Sequence, residues 1–183
     1  ATAPCQRVDA VRVLRVVDAA TRREALQRKV GAGLTVAGFR KKAEALQIRH
    51  VGLCESLVFI AQALGWNLDR VDETIAPVLA NRAIRTAYLT VNKGRVAGVR
   101  QVATGWRDGR AVLELELQMY VGAKNPRDVI TVEGIPPMRV VIDGGTPGDI
   151  ATPAMLVNCL PRLLEAPPGL HTMLTIGLPR AIG

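Results

Sequence analysis

The sequence predicts an α+β fold, built on a single mixed, largely antiparallel sheet with helices covering one face. Three observations support this prediction. Apolar and polar residues alternate through residues 87–121, as in strands with one buried face. Two segments before residue 65 have helical spacing, and a glycine-rich loop precedes a final helical segment. The order strand, helices, strands, helix is typical of the α+β class.

The first third of the chain predicts one strand and two helices. Residues 8–17 are rich in β-branched side chains and predict the first strand. Residues 18–33 show little amphipathic order, so we expect a long functional loop there. Thr35 is of a residue type that caps helices, which predicts a helix over residues 36–46. Apolar spacing predicts a second helix over residues 54–64, ended by Gly65.

The middle of the chain predicts strands joined by tight turns. The predicted strands span residues 68–79, 86–91, 96–106, 113–121, 129–132 and 138–142. We expect an interruption of the first of these near Pro77. The short turns between the next three predict an antiparallel meander.

The second face of this sheet is predicted to be partly apolar. Tyr88, Val96, Val102 and Trp106 occupy even-numbered strand positions, opposite the main apolar row. An apolar second face commonly meets a partner subunit, so we expect a homodimer or a higher homo-oligomer.

A glycine-rich loop over residues 144–152 is the most informative local motif. Thr152 and Pro153 have the residue types of an N-cap and a first helical position, and the helix is expected to reach residue 165. Such a loop leaves backbone N–H groups at the positive end of a helix, where an anionic or polar ligand group binds. The alternative is a capped connection that binds no ligand.

Composition and charge narrow the functional classes. Apolar residues make up 49% of the chain and charged residues 22%, as in an ordinary globular protein. The net charge of +8 brings nucleic-acid binding into consideration, but the basic residues are dispersed and aromatic stacking residues are scarce. The longest apolar runs, such as residues 57–64, are too short to span a bilayer. We therefore expect neither nucleic acid nor membrane as a partner.

The cysteines and histidines predict no disulfide framework and no metal site. The chain has three cysteines without a CxxC pair, and two histidines. Reduced cysteines are typical of a cytoplasmic protein. Cys54 would need a neighbouring base to act as a nucleophile, and the sequence indicates none.

Several sequence blocks, in order, resemble the C-terminal half of dihydrodipicolinate reductase-like oxidoreductases. The blocks are Leu26–Thr35, His50–Leu57, Val96–Gln101, Glu116–Ala123 and Gly148–Thr152, followed by Asn158. The branch they most resemble contains 2,4-diaminopentanoate dehydrogenase and the native amine dehydrogenases. Dihydrodipicolinate reductases proper carry a His-His pair followed by Lys, and the absence of this pattern here favours the amine-dehydrogenase branch.

The resemblance implies that residues 1–183 form a substrate-binding and oligomerisation domain. The nucleotide-binding (Rossmann) domain that precedes it in the family is absent from this chain, which begins with Ala and is interpreted as part of a longer polypeptide. The implied cofactor is NAD or NADP, held mainly by that other domain, and the implied reaction is hydride transfer at an amine or imine carbon.

The resemblance also implies site residues, although the catalytic acid or base is expected in the nucleotide-binding half. The implied substrate-binding residues are Gln27, Lys29, His50, Thr152 and Asn158. The implied cofactor-binding residues are Gly148, Asp149 and Thr152.

Purely structural roles remain alternatives for these residues. The basic cluster around Lys29 has the pattern of a solvated face, His50 that of a structural hydrogen-bonding residue, and Asn158 that of a helix residue bonded to backbone. The alternative function for the whole chain is a non-enzymatic α+β module that binds a small metabolite or dimerises.

Overall fold

The computed structural model describes residues 1–181, which fall into two compact units. The first unit is Ala1–Gly145, and the second begins at Thr146. The length of the chain predicts one domain and gives no indication of this division.

The first unit is built on a six-stranded sheet. Its strands are β1 (Arg7–Asp18), β2 (Arg70–Leu79), β5 (Val96–Arg107), β6 (Arg110–Tyr120), β7 (Arg127–Ile135) and β8 (Met138–Asp143). Their order across the sheet is β2-β5-β6-β1-β7-β8. β1 pairs in parallel with β6, and the other neighbours pair antiparallel. The predicted α+β class and the mixed, largely antiparallel sheet are confirmed.

The predicted strand over residues 86–91 is wrong. Only β4 (Thr90–Val91) is extended, and it pairs with β3 (Ile84–Arg85) in a separate two-stranded sheet. The hydroxyl of Thr86 accepts hydrogen bonds from the backbone N–H groups of Tyr88 and Leu89, both at 3.1 Å. This turn, closed by a side chain, removes the segment from the main ladder despite its alternating pattern.

The predicted interruption near Pro77 is also wrong. β2 passes through Pro77, which pairs with Val99 of β5. β2 is the edge strand of the sheet, so a residue without an N–H group is tolerated if that position faces away from the ladder.

The segment predicted as a long loop over residues 18–33 contains two short helices. Asp18 accepts a hydrogen bond from the backbone N–H of Ala20 and begins a 3₁₀ turn over Ala19–Thr21. Helix α1 then spans Glu24–Lys29. An ion pair between Glu24 and Arg28, one helical turn apart, supports α1, and each charge lies at the favourable end of the helix dipole.

Helices α2 (Val36–Glu44) and α3 (Leu53–Ala63) cover part of one sheet face. The predicted cap is confirmed, because the Thr35 hydroxyl accepts a hydrogen bond from the N–H of Gly38 at 3.0 Å. α3 packs on β5 and β6, and α2 packs on β2. Both helices end close to the predicted positions, which makes them the most reliable predictions in this part of the chain.

The core beneath these helices contains aliphatic side chains and one phenylalanine. Leu57 of α3 and Leu113 of β6 are both 0% exposed and belong to one cluster. Phe39 of α2, 1% exposed, packs in a second cluster with Ile48. Gly31, at φ 83°, lies against this second cluster: a Cβ there would come within 2.9 Å of Phe39 and 3.0 Å of Ile48. This glycine therefore serves packing and turn geometry.

The opposite, open face of the sheet carries ion pairs between neighbouring strands. Arg100 of β5 binds Glu116 of β6 through two hydrogen bonds of 2.7 and 2.8 Å. Arg12 of β1 lies 2.8 Å from Glu133 of β7. A groove of about 370 Å³ runs along this face, lined by residues that include Arg127, Thr131 and Arg139.

Two of the four apolar residues expected on the open face lie elsewhere. Val96 is 0% exposed and packs with Phe39 on the helix-covered side. A register shift between β2 and β5, close to Val96, breaks the strict alternation used for that prediction. Tyr88 lies outside the strands, whereas Val102 pairs with Glu116 as the predicted alternation requires.

The Arg100–Glu116 pair should make stability depend on acid pH. Hydrogen bonds from Arg100, and then from Gln118, hold the pKa of Glu116 below its usual 4.5, against the opposing effect of burial. A carboxyl with a lowered folded-state pKa contributes stability above its unfolded pKa and loses it as pH falls through the folded value. We expect Glu116→Gln to lower the melting temperature at pH 7 and to flatten its decline below pH 4.5.

Thermal denaturation between pH 7 and about pH 3 tests this expectation. Glu44→Gln, a substitution at an exposed position at the end of α2, is the matched control. If the melting temperature of Glu116→Gln falls at acid pH as steeply as that of the wild type, Glu116 is not the source of this pH dependence.

The second unit contains helix α4 (Gly148–Glu165), which begins earlier than predicted. The N–H groups of Ile150 and Ala151 bond to the carbonyl of Pro147 at 3.0 and 2.8 Å, so the first turn closes on Pro147. Thr152 is therefore not the N-cap, and Pro153 lies inside the helix. Five helical residues precede it and place its missing N–H beyond the first turn, so the expectation of Pro at the first helical position is wrong.

Helix α4 is apolar over about half of its circumference, and none of its residues is buried. Its exposed apolar residues include Ile150, Leu156, Val157, Leu160 and Leu164. Leu156 and Leu164 are 72% and 86% exposed. An apolar stripe this wide is typical of a helix that packs against another surface.

Candidate functional site

A polar row crosses the helix-covered face of the sheet. Gln101, Leu117, Arg15 and Asp128 are consecutive partners on β5, β6, β1 and β7. The Arg15 guanidinium lies 3.7 Å from the Asp128 carboxylate. This face is otherwise mainly aliphatic, so three polar side chains in one row mark the place where the sheet offers hydrogen bonds and charge.

The amide of Gln101 holds the main chain of His50. Its Oε1 accepts a hydrogen bond from the His50 N–H at 2.7 Å, and its Nε2 donates one to the His50 carbonyl at 3.0 Å. Gln101 is 0% exposed, although it lies in a strand of aliphatic neighbours. A buried amide normally requires such partners, so this contact fixes His50 above the row.

A carboxylate from the edge strand extends the network. Glu73 of β2 accepts a hydrogen bond from Gln101 Nε2 at 2.8 Å and one from the Cys54 thiol at 3.3 Å. Its other oxygen lies 3.3 Å from Nε of Arg49. Glu73 therefore joins β5, the start of α3 and the segment that carries His50.

The Cys54 thiol is unsuited to nucleophilic catalysis. Burial, followed by the hydrogen bond to Glu73, raises its pKa to about 11. The group is therefore protonated near neutral pH, whereas a reactive cysteine requires a lowered pKa.

His50 lies within electrostatic range of two cations from other elements. Burial lowers the pKa of its imidazole below 6.5, and the charges of Lys29 and then Arg15 lower it further. The imidazole is consequently neutral at pH 7 and able to donate one hydrogen bond and accept another. Lys29 at the end of α1, Arg15 of β1 and His50 thus bring two permanent positive charges and a neutral ring into one region of the first unit.

Gln27 has a different environment from Lys29, two residues away. It is 0% exposed, and its Nε2 donates to the carbonyls of Ala20 and Arg22 at 3.2 and 2.8 Å. Its Oε1 accepts from the Thr86 hydroxyl at 2.9 Å. These contacts tie α1 to the preceding 3₁₀ turn and to the β3–β4 hairpin, so the Gln27 amide is engaged in holding the chain that carries Lys29.

The remaining predicted site residues lie in the second unit. Gly148 and Asp149 form the first turn of α4, and the Asp149 carboxylate is exposed at the positive end of the helix dipole. Thr152 is exposed in the second turn, and Asn158 is half-buried in the third. The Asp149 charge complements the helix dipole at this position.

Four residues of the polar network were missed at the sequence level: Arg15, Glu73, Gln101 and Asp128. Arg15 carries a detectable signal, because it occupies a position between Val13 and Val17 where alternation requires an apolar residue. Gln101 similarly interrupts the run from Val99 to Ala103. Such interruptions indicate a buried polar contact but not its partner, which is brought close only by strand pairing.

The described part of the chain contains neither a metal-binding group nor a membrane-spanning helix. Residues 1–181 contain no group of three or more His, Cys, Asp or Glu side chains able to hold a metal ion. Among the same residues, no helix is both long and apolar enough to cross a membrane.

Comparison with known proteins gives consistent matches over the whole chain. Residues 1–183 match the family model described as 2,4-diaminopentanoate dehydrogenase C-terminal domain. The 2,4-diaminopentanoate dehydrogenase of Acetoanaerobium sticklandii is 31% identical over 187 residues, which cover 99% of this chain and 53% of that protein.

The fold is similar to that of the amine dehydrogenase from Mycobacterium smegmatis. The TM-score is 0.80 at 23% identity, and the match covers 98% of this chain and 53% of that one. The chain thus spans about half the length of both relatives. At this identity the structural likeness shows a shared fold.

Proposed function

The chain belongs to the family of 2,4-diaminopentanoate dehydrogenase C-terminal domains, and on this premise we propose that it is the substrate-binding half of a nicotinamide-dependent dehydrogenase. The full protein would transfer a hydride between NAD or NADP and an amine or imine carbon. In this proposal the cofactor performs the redox chemistry, while this domain binds the substrate, orients its reacting carbon and excludes water.

The observation that carries the proposal is the cluster of Arg15, Lys29 and His50 beside the polar row. Two permanent positive charges next to a neutral imidazole suit a substrate that has both a carboxylate and an amine. Arg15 and Lys29 would bind the carboxylate, and His50 would form a hydrogen bond with a polar group of the substrate. The family's namesake substrate, 2,4-diaminopentanoate, is such an amino acid.

For the second unit we propose contacts with the nicotinamide and the substrate. Gly148, Asp149 and Thr152 would lie beside the nicotinamide, and Asn158 would form a hydrogen bond with the substrate. The family resemblance of the Gly148–Thr152 block supports this assignment. In the full-length protein we expect Asn158→Ala to leave the affinity for NADH unchanged. The same variant should have a raised KM for the amine.

A nucleotide-binding half of the proposed enzyme is also the proposed partner of helix α4. Relatives of about twice this length contain a second half, and α4 carries an exposed apolar stripe that includes Leu156 and Leu164. Burial of both leucines against a nucleotide-binding domain would gain roughly 1.5–3 kcal/mol for each side chain. Hydrogen exchange of α4 that is equally fast in the full-length protein and in the 1–183 fragment would contradict this contact.

We further propose that the open sheet face forms a homo-oligomer interface. Arg12, Arg100, Glu116 and Arg139 provide charges of both signs around Leu14 and Val102, as at the polar rim of many interfaces. A molar mass equal to that of a single full-length chain in light scattering would contradict this proposal.

Activity measurements on the full-length protein test the proposed function. We expect oxidation of a diamino acid with NAD or NADP, followed as absorbance of the reduced cofactor, and reductive amination of the corresponding keto acid with ammonia. The 1–183 fragment should show neither activity, because it would not hold the cofactor. Absence of turnover by the full-length protein with every amino acid, amine and ketone tested would favour a metabolite-binding module.

A further inference from the structure

The main chain at His50 is held by a buried side chain. Residues 47–52 contain no helix and no strand, so regular backbone pairing does not fix their position. Gln101 supplies the missing pairing, because one amide bonds to both the N–H and the carbonyl of His50. The side chain of a strand residue here performs the role that a neighbouring strand performs in a ladder.

Glu73 provides a second anchor for the same segment. It accepts a hydrogen bond from Gln101 Nε2 and approaches Arg49, the residue immediately before His50. Gln101 and Glu73 are both largely buried, so their hydrogen bonds are protected from competing water.

We propose that Gln101 is a positioning residue for the substrate site, which fixes the main chain at His50 and so sets the place of the imidazole relative to Lys29 and Arg15. This inference rests on the proposed function, in which that imidazole contacts the substrate. Gln101 itself is fully buried and acts only through His50.

The chemistry at this position requires the glutamine amide. The three partners are one donor, the His50 N–H, and two acceptors, the His50 carbonyl and the Glu73 carboxylate. An amide offers one acceptor oxygen and two N–H donors, which matches this set. A glutamate would keep the acceptor but would lose both donors and place a second carboxylate beside Glu73. A methionine would have a similar length but would satisfy none of the three partners.

The charged groups around His50 come from several elements. Lys29 lies on α1, Arg15 on β1 and Glu73 on β2, while Arg49 precedes the histidine in the chain. Release of the His50 main chain should remove the remaining burial of the ring and increase its distance from the two cations. Both changes favour the protonated ring, so the His50 pKa should rise toward 6.5.

The test compares Gln101→Met with wild type in the full-length protein. We expect KM for the amine to rise roughly tenfold while kcat changes less than about threefold, since the altered residue sets binding geometry and not hydride transfer. The titration of His50, followed by NMR of ring-¹³C-labelled histidine and assigned with His50→Gln, should shift to higher pH. Gln62→Met, an exposed glutamine on α3, is the matched control and should change neither quantity.

A second variant covers the case in which Gln101→Met does not fold. Gln101→Glu has the same shape and keeps the acceptor for the His50 N–H, and it should shift both readouts in the same directions. A folded variant with unchanged KM and unchanged His50 titration would overturn the inference. The NMR readout needs no substrate, so a shifted titration in a protein without amine activity would refute the proposed function and leave the anchoring role intact.

Discussion

Replacement of Arg15 with methionine should reduce kcat/KM of the full-length enzyme for a carboxylate-bearing amine by roughly 10- to 100-fold. This range corresponds to the loss of one charge-assisted hydrogen bond of about 1.5–3 kcal/mol. Arg15 lies on the polar row and is electrostatically coupled to His50, so its charge acts on the same region as the imidazole. The effect should appear mainly in KM, because the carboxylate is held in both ground and transition states.

The comparison of two substrates makes this experiment specific. An amine of similar size without a carboxylate should lose little efficiency in Arg15→Met, because it has no group for the guanidinium to bind. Arg40→Met, at an exposed position of α2, controls for the loss of one positive charge. Equal losses for both substrates would contradict a carboxylate-binding role.

Stability must be measured in parallel, since Arg15 also neighbours the largely buried Asp128. Lys29→Met avoids this complication, because Lys29 is exposed at the end of a short helix. We expect Lys29→Met to melt near the wild-type temperature and to show the same substrate preference, with a smaller loss of efficiency.

Replacement of Gly98 with alanine should destabilise the domain by about 3 kcal/mol, the upper end of the usual cost of overpacking. A Cβ at Gly98 would collide with the carbonyl oxygen of Met119 and with Tyr120 on the neighbouring strand. Two of these contacts involve backbone atoms, which cannot move without breaking the β5–β6 pairing at this point. Rotation of a side chain therefore cannot relieve this collision.

Urea denaturation of wild type and variant measures this cost. Gly148→Ala is the matched control, since a Cβ there meets no atom within 4 Å and alanine favours the helix that begins at this residue. We expect its unfolding free energy to equal or slightly exceed that of the wild type. A Gly98→Ala protein as stable as the wild type would contradict the close approach of the two strands at this residue.

The parts of the fold that were predictable from sequence are those governed by local pattern. Alternation in β6, the helical spacing of α3 and the cap at Thr35 depend on residues close to one another in the chain, and all three are confirmed. The resemblance to the dehydrogenase family is confirmed as well, because it rests on several blocks in order.

Predictions failed where a distant or unusual partner overrode the local pattern. Residues 86–91 alternate like a strand, but the Thr86 hydroxyl closes a turn and also donates to Gln27, 59 positions away in sequence. Pro77 was expected to interrupt its strand, but β2 is an edge strand and continues through the proline. Thr152 has the chemistry of an N-cap, yet the helix begins at Gly148, with its first turn closed on Pro147.

The sequence by itself determined the class of the fold and membership of the family, because periodicity and motif order are properties of neighbouring residues. The tertiary structure decided which polar residues meet. Arg15, Gln101 and Asp128 are far apart in the chain, and only the pairing of β5, β6, β1 and β7 places them in one row. His50 lies beside that row because the buried amide of Gln101 bonds to its N–H and its carbonyl. The need of a buried amide for hydrogen-bond partners arises only once folding has removed it from water.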